Sequence, residues 1–442
     1  MSVTRSWRRT RLTLVVGLFA ALHAGVGAAQ DRTLSQRLPE IAAEEIIEPA
    51  AGGVPLEAFE GSALATSPSL RQLESLVRAA RWQCLQAGLP PNPTAGYVAN
   101  EMGVDGAAGQ QGAFVGQQFV RGGKLGYAQA VASKEARRLE QQFAVERLRV
   151  LTDTRTAFYD AFLTQQERRL AEQLVGVSEK AVTVSEALRE AGEGPRTDVL
   201  QAQIENQRAV ATMRGVERRV LAAWRKLAVL TGRDTSTPQP LDADRAALIT
   251  NLAWEPTVAE LLSVSPQIAE RVAAVEKAKC EVAYQRSLAV QDVTAQVAVQ
   301  YDDAASDTIA SLQIGMPLPL WNRNQGGIGR ARAELTASRR RLEATEQVLR
   351  RRLAEAIGRY QATLAQVETL QSEVQPRATQ NLSLATEGYV AGELGFLDLL
   401  TVQRTYFNVS LELLDGYREL NVSAQLIQGC LLAGSGTPGV AE

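Results

Sequence analysis

The sequence predicts a mainly α-helical chain of long antiparallel coiled-coil helices plus two β-hairpins, laid out twice from one plan. Three observations carry that expectation. Two similar turns recur 200 residues apart, AGEGPRTDVLQAQ at 191–203 and AGELGFLDLLTVQ at 391–403, sharing Ala, Gly, Glu, Asp, Leu and Gln. Long runs between turns lack proline and space their apolar residues by three and four. One patch of strict period-two alternation stands apart from them. An earlier echo, at an offset of 198, pairs Ser67-Pro68-Ser69-Leu70 with Ser265-Pro266-Gln267-Ile268. A chain that repeats both the start of a unit and its far turn is built twice. At so long a period, each unit is an architectural half and not a solenoid repeat.

The first 29 residues read as a cleaved signal peptide. Arg5, Arg8, Arg9 and Arg11 precede an apolar run from Leu12 to Ala21, and Gly27-Ala28-Ala29 supplies small residues for cleavage. The run is too short to span a bilayer comfortably, and no cysteine follows it to take a lipid. Cleavage lowers 47 basic residues to 43 against 49 acidic ones, a net charge of −6. That balance disfavours a nucleic-acid partner. It also removes His23, the one histidine, and with it histidine-dependent base or metal chemistry. Cys84, Cys280 and Cys430 are far apart and without CxxC spacing, so they read as small buried hydrophobes.

Residues 30–66 form a leader of little pattern, extended or partly helical, before a first repeat at 67–232. Helical spacing begins after Pro68 and stops at Leu89-Pro90-Pro91. The second repeat spans 265–429 after a linker at 233–264, with a tail at 430–442. In it, Val293, Ala295, Val297, Val299 and Tyr301 alternate with Thr294, Gln296, Ala298 and Gln300. A polar loop at 302–307 then leads to Ala310, Leu312, Ile314 and Met316. This reads as a hairpin, with Val293, Ala295, Val297 and Val299 on its apolar face. The first half carries a weaker version at Thr94–Asn100 and Ala113–Val120.

Both hairpins run into glycine-containing turns and then long helices. Residues 124–190 imply on the order of 100 Å of helix at the usual rise. In the second half, from about 328 to 391, Leu349, Leu353, Ala356, Tyr360, Leu364, Val367 and Leu370 keep coiled-coil spacing, and Pro376 should kink the rod. Gly192 and Gly392 suit left-handed C-caps. Thr197 or Asp198, and Asp398, are candidates to start the return helices, where carboxylates favour the free N–H groups.

Four strands cannot close a membrane barrel, and in lipid every strand edge must be paired. Strands of about nine residues do match a tilted membrane strand, so several chains sharing one barrel would meet both conditions. Long seamed helices with 5% aromatic residues cannot form a globular core and must pack side by side.

The chain resembles the TolC-like outer-membrane efflux protein family over roughly residues 65–430. The motifs are the paired Ser-Pro starts, Pro-Leu-Trp-Asn-Arg-Asn-Gln-Gly at 319–326, and the turns at 192–200 and 392–400. The resemblance implies a homotrimer with a 12-stranded outer-membrane β-barrel and a periplasmic α-barrel. It implies a passive exit duct joined to an inner-membrane pump through a periplasmic adaptor protein. The 319–326 entry is similar to that of the branch serving heavy-metal pumps. By position, Asp398 would contribute to an acidic ring at the closed tip, with Asp198 as its partner in the other half. A helix-capping role stands open beside this one for both. Arg196 becomes a candidate salt bridge between neighbouring tips. Gly192, Glu193, Gly194, Gly392, Glu393, Gly395, Phe396 and Leu397 become the adaptor-docking turns, with Phe396 and Leu397 read as exposed apolar groups. The arginine runs at 339–341 and 350–352 read as a solvated or intersubunit face.

An adaptor would show one helical hairpin flanked by β domains, not two. A coiled-coil scaffold without a pore would share the helices. No nucleophile–base pair, metal cluster or phosphate loop appears, so neither an enzyme nor a cofactor is expected.

Overall fold

The computed structural model describes residues 52–103, 109–192, 194–243, 252–391 and 393–432. The signal peptide, most of the leader, part of the linker, the end of the tail, Glu193 and Gly392 lie outside them.

Helix α1 (Leu56–Thr66) meets α2 (Pro68–Ala87) at Ser67, whose φ of −56° and ψ of 118° break the path while Pro68 opens the next helix. Proline suits a first helical turn because its missing N–H would have no partner there. The second half repeats the device with α5 (Trp254–Val264), Ser265 at φ −62° and ψ 117°, and α6 (Pro266–Ser287). A helix therefore ends the stretch expected to be a patternless leader, and another ends the linker. A two-residue parallel pair, Val54–Pro55 with Leu241–Asp242, ties the leader to the linker.

Four strands follow the short helices: β1 (Thr94–Asn100), β2 (Gln110–Phe119), β3 (Val293–Asp302) and β4 (Asp307–Gly315). They form one antiparallel sheet in chain order. The second strand starts three residues before the expected Ala113, and the fourth ends before Met316. The first hairpin hid its alternation because Gly96, Gly112 and Gly116 occupy one face. A Cβ on Gly96 would sit 2.7 Å from Phe114 Cε1, so that ring lies directly over the neighbouring strand's backbone.

Helix α3 (Lys124–Glu190) is one unbroken rod of 67 residues, on the order of 100 Å. Its entry is a left-handed Gly123 at φ 69°; α7 (Gln325–Thr369) is entered the same way through Asn324 at φ 59°. Asparagine tolerates that region because its side chain bonds locally; Asn324 Nδ2 donates to the Gln285 carbonyl at 2.8 Å. The second rod is broken by a π-helical turn, Leu370–Val374, before α8 (Gln375–Val390). The wider turn lies just ahead of Pro376, whose ring and missing N–H spoil the regular ladder. Return helices α4 (Arg196–Thr231) and α9 (Phe396–Gln428) complete the halves.

The helical row follows the strand order: α2 packs on α3, α3 on α6, and α6 on α7. The α3–α6 seam joins the halves through Arg138, which bonds Glu135 and Glu270 at 2.9 Å, while Lys277 reaches Glu135 at 3.1 Å. Lower down, Phe59 of α1 is fully buried between Phe158 and Trp224, with ring centroids 5.4 and 6.2 Å away. Arg233 caps that cluster 4.2 Å above the Phe59 ring. Along α7, Leu349, Leu353, Ala356, Tyr360 and Val367 are buried as the spacing required. Cys430 is buried, but Cys84 and Cys280 are only half-buried, and all three are free.

Candidate membrane sheet and helical tips

Cross-strand register assigns every residue of the sheet to a face, because side chains alternate along a strand. One face carries Tyr97 of β1, Ala113, Val115 and Phe119 of β2, Val293, Ala295, Val297, Val299 and Tyr301 of β3, and Ala310, Leu312 and Ile314 of β4, with Gln111, Gln117 and Thr308 as its polar members. The opposite face carries Asn100, Gln110, Gln118, Thr294, Gln296, Gln300, Asp302, Asp307, Ser311 and Gln313, with Val98, Phe114 and Ile309 as apolar exceptions. The apolar face is open: Val297 and Val299 are 51% and 53% exposed, and Leu312 and Ile314 about two-thirds. Ala298 and Gln300 behind them are buried. The alternation read in β3 thus holds for most residues of the sheet, with breaks at Gln111 and Gln117 of β2 and Ile309 of β4. No helix among the described residues is long and apolar enough to cross a membrane.

The outer strands β1 and β4 each have one free edge. Between them, β2 and β3 join the two halves over ten residue pairs. Asp292 fixes the foot of that junction. Its carboxylate accepts from Lys124 Nζ at 2.7 Å, the Arg121 N–H at 3.0 Å and Gln118 Nε2 at 3.1 Å.

The two far turns share one geometry. Gly194 N–H donates to Leu188 O at 3.1 Å, and its counterpart Leu394 donates to Gly388 O at 3.2 Å. Ala191 and Ala391 each close the preceding helix to a carbonyl four residues back. Gly192 is left-handed at φ 78°, as a C-terminal glycine should be. The return helices begin at Arg196 and Phe396, not at Thr197, Asp198 or Asp398. Their N-caps are Pro195 and Gly395, with φ −77° and −73°. Gly395 therefore adopts a backbone that proline matches in the other half, and no glycine freedom is used there. Asp198 and Asp398 are third residues of their helices, where a carboxylate favours the helix N-terminus. Asp398 is exposed and Asp198 half-buried; Arg196 is exposed, with no ion pair among the described residues.

Phe396 overturns one expectation. It is 5% exposed and packs against Tyr389 at 6.1 Å between centroids, inside a core with Ala181, Ala202, Leu399 and Leu400. It staples the return helix onto the other hairpin. Its neighbour Leu397 is 64% exposed and remains an apolar group on the surface of the turn, beside exposed Glu393. Tyr389, which joins the halves at the tip, carries no distinguishing mark in the sequence. Burial raises its phenol above the ordinary value, its hydrogen bond with Ser185 opposes that, and the nearby Asp198 carboxylate raises it further. Arg404 of α9 adds a second link, bonding Glu205 of α4.

A family model described as outer membrane efflux protein matches residues 61–233 and again 257–428. The chain belongs to the outer membrane efflux protein family. The double match coincides with the two halves of the fold. A cobalt-zinc-cadmium resistance protein, CzcC of Cupriavidus metallidurans, is 25% identical over 406 residues, covering 91% of this chain and 95% of that one. Solved structures share the fold. CusC superposes with a TM-score of 0.72 at 16% identity, covering 90% of this chain and 97% of that one. VceC of Vibrio cholerae gives 0.68 at 20% identity, covering 86% and 96%. The protein is an outer-membrane exit duct of a tripartite efflux system, with a large periplasmic part. Its family is one of transport ducts and not of enzymes.

The tip packing makes a direct prediction. Phe396→Asp should unpack the turn, forfeiting at least the about 3–5 kcal/mol of a truncated buried phenylalanine. Leu397→Asp should leave it folded. Limited proteolysis of the tip reads the difference, and equal resistance of the two variants would contradict the assignment.

Proposed function

We propose that three copies of this chain join edge to edge into a 12-stranded barrel, with the Val293–Val299 face in lipid and the polar face around water. The observation that carries this is the sheet itself: one apolar face, one polar face and two free edges. Each free edge would leave N–H and C=O groups unpaired in hydrocarbon, at several kcal/mol per group. Joining copies removes all of them. A barrel of that size leaves an aqueous passage.

Below the membrane, the rods continue the passage to the tips, where three copies of Asp398 gather around the axis. Like charges held close repel or take up a cation, which suits a closed aperture that yields when a periplasmic adaptor engages. Asp198 serves the same wall from the other half, and its place in the helix's first turn is compatible with that. Arg196 is free to pair with a carboxylate of the next copy. Gly192, Gly194, Glu393 and Leu397 form the docking surface, with the adaptor and an inner-membrane pump as partners; Glu193 and Gly392 belong to the same turns. Phe396 supports that surface from beneath. We take divalent metal cations as the cargo, a reading supported by the 25% identity to a cobalt-zinc-cadmium resistance protein.

The lipid face is tested by charge. Val297→Arg should hinder assembly in the outer membrane at a cost of roughly 2–4 kcal/mol near mid-bilayer, while Gln296→Arg on the polar face should assemble. Equal recovery of both in outer-membrane fractions would exclude a membrane strand. The aperture and cargo are tested together. Loss of the protein should sensitise cells to cobalt, zinc and cadmium, and Asp398→Ala should weaken block of the reconstituted channel by divalent cations in planar bilayers. Unchanged block would remove Asp398 from the aperture, and unchanged metal tolerance would remove the cargo.

A further inference from the structure

The helical row has two free ends, α2 and α7, matching the free edges β1 and β4. Helix α2 buries Leu70, Leu73, Val77 and Ala80. Trp82 points away from that stripe and is 71% exposed, a large aromatic turned to the outside of the helical row. Helix α7 buries Ala331 and half-buries Ile328, Leu335 and Leu342. The side turned away from these carries Gly326, Gly329, Ala333 and Ala337. A Cβ built on Gly326 or Gly329 would have nothing within 4 Å.

We propose that Trp82 of one copy seats on the Gly329–Ala333 groove of the next, forming the helical seam between copies just below the membrane. The inference rests on the edge-to-edge assembly proposed above and supplies its contact. The repeat sets the register. Helix entries Gly123 and Asn324 correspond at an offset of 201, and the Ser-Pro starts at 198. The α3–α6 seam inside the chain is therefore the template for α7 against the next copy's α2. In that template Lys277 meets Glu135. Three residues further along each antiparallel helix, Cys280 stands level with Ala132, and their counterparts are Trp82 and Ala333.

The chemistry of the two seams differs. Inside the chain, Glu135, Arg138, Glu270 and Lys277 form an ion cluster. Their counterparts between copies are Thr336, Arg339, Gln72 and Ala79, which cannot rebuild it. A bulky indole over a groove of small residues replaces it, the large-against-small fit that lets helices approach closely. Continuity with the strand edges selects a second copy as the occupant. Those edges would bring α7 and α2 together at the same height, within about two helical turns of their sheet-side ends.

The test is cross-linking in assembled protein. In a chain carrying Cys84→Ser, Cys280→Ser and Cys430→Ala, Trp82→Cys combined with Ala333→Cys should give covalent dimers and trimers on mild oxidation. Either cysteine alone should give none, because a head-to-tail ring never brings identical sites together. A second variant guards against misfolding: Gly329→Leu should lower the temperature at which trimers fall to monomers, and adding Trp82→Ala should restore it. Assembled trimers with no cross-link and no restoration would overturn the seam while leaving the trimer intact. Quenching of Trp82 fluorescence by brominated phospholipid in such trimers would also overturn it, placing the indole in lipid. Protein that stays monomeric in native membranes would instead refute the assembly on which the seam rests.

Discussion

A strand edge in hydrocarbon is the constraint from which the rest follows. Each unpaired backbone group there costs several kcal/mol, and the sheet of this chain has two such edges. Among the described residues, no strand covers them. The polar face adds a second demand, since Gln296, Gln300, Gln313 and their neighbours need water on their side of the wall. A closed ring of copies meets both demands, and it fixes what lies below. The helical row follows the strand order, so a closed sheet forces a closed tube of helices. The rods then have a definite inside, and their far turns a common axis.

The two halves are held in one frame by polar contacts at intervals. Asp292 binds the strand feet, the Arg138 cluster binds α3 to α6, and Arg418 of α9 reaches Asp160 and Glu167 of α3 at 3.3 and 3.5 Å. Apolar packing takes over at Phe59 and again at Tyr389 and Phe396. Around Phe59 that packing is an extended core, in which Phe158, Trp224, Leu370, Leu382 and Tyr417 bury side chains of both halves together. The π-helical turn at Leu370–Val374 breaks only the second rod, so the halves are alike in plan and unequal in stiffness. Tyr417 reaches Gln371 in that turn with a 2.9 Å hydrogen bond, which fixes the wider coil against the return helix.

Much of this was legible because long elements announce themselves. The rod from 124 to 190 has no proline and clear flanking glycines. The strand from Val293 alternates with Ala298 as its one break, and the tip turns share Ala, Gly, Glu, Asp, Leu and Gln at matching positions. What stayed hidden was hidden for physical reasons. The first hairpin places Gly96, Gly112 and Gly116 on its inner face around Phe114, so the apolar–polar signal there vanishes. Helices α1 and α5 are short, with only two buried residues each, too few to set a period. Their shared glutamates, Glu57 and Glu255, lay at the same offset as the Ser-Pro starts and were the available clue. Phe396 and Leu397 are adjacent and both apolar. Only the rotation between neighbouring helical positions separates the buried one from the exposed one, and sequence cannot set that rotation without knowing what stands beside it. Tyr389 is legible only once the hairpins are side by side.

In the proposed ring, β4 of one copy pairs with β1 of the next. Amide hydrogen exchange of the assembled protein in lipid reads that pairing, because a free edge exposes half its N–H groups while a paired edge exposes none. The amides of Ile309–Gly315 should exchange as slowly as those of β3, at every position along the strand. Rapid exchange at alternate residues of β4 in fully assembled protein would contradict it.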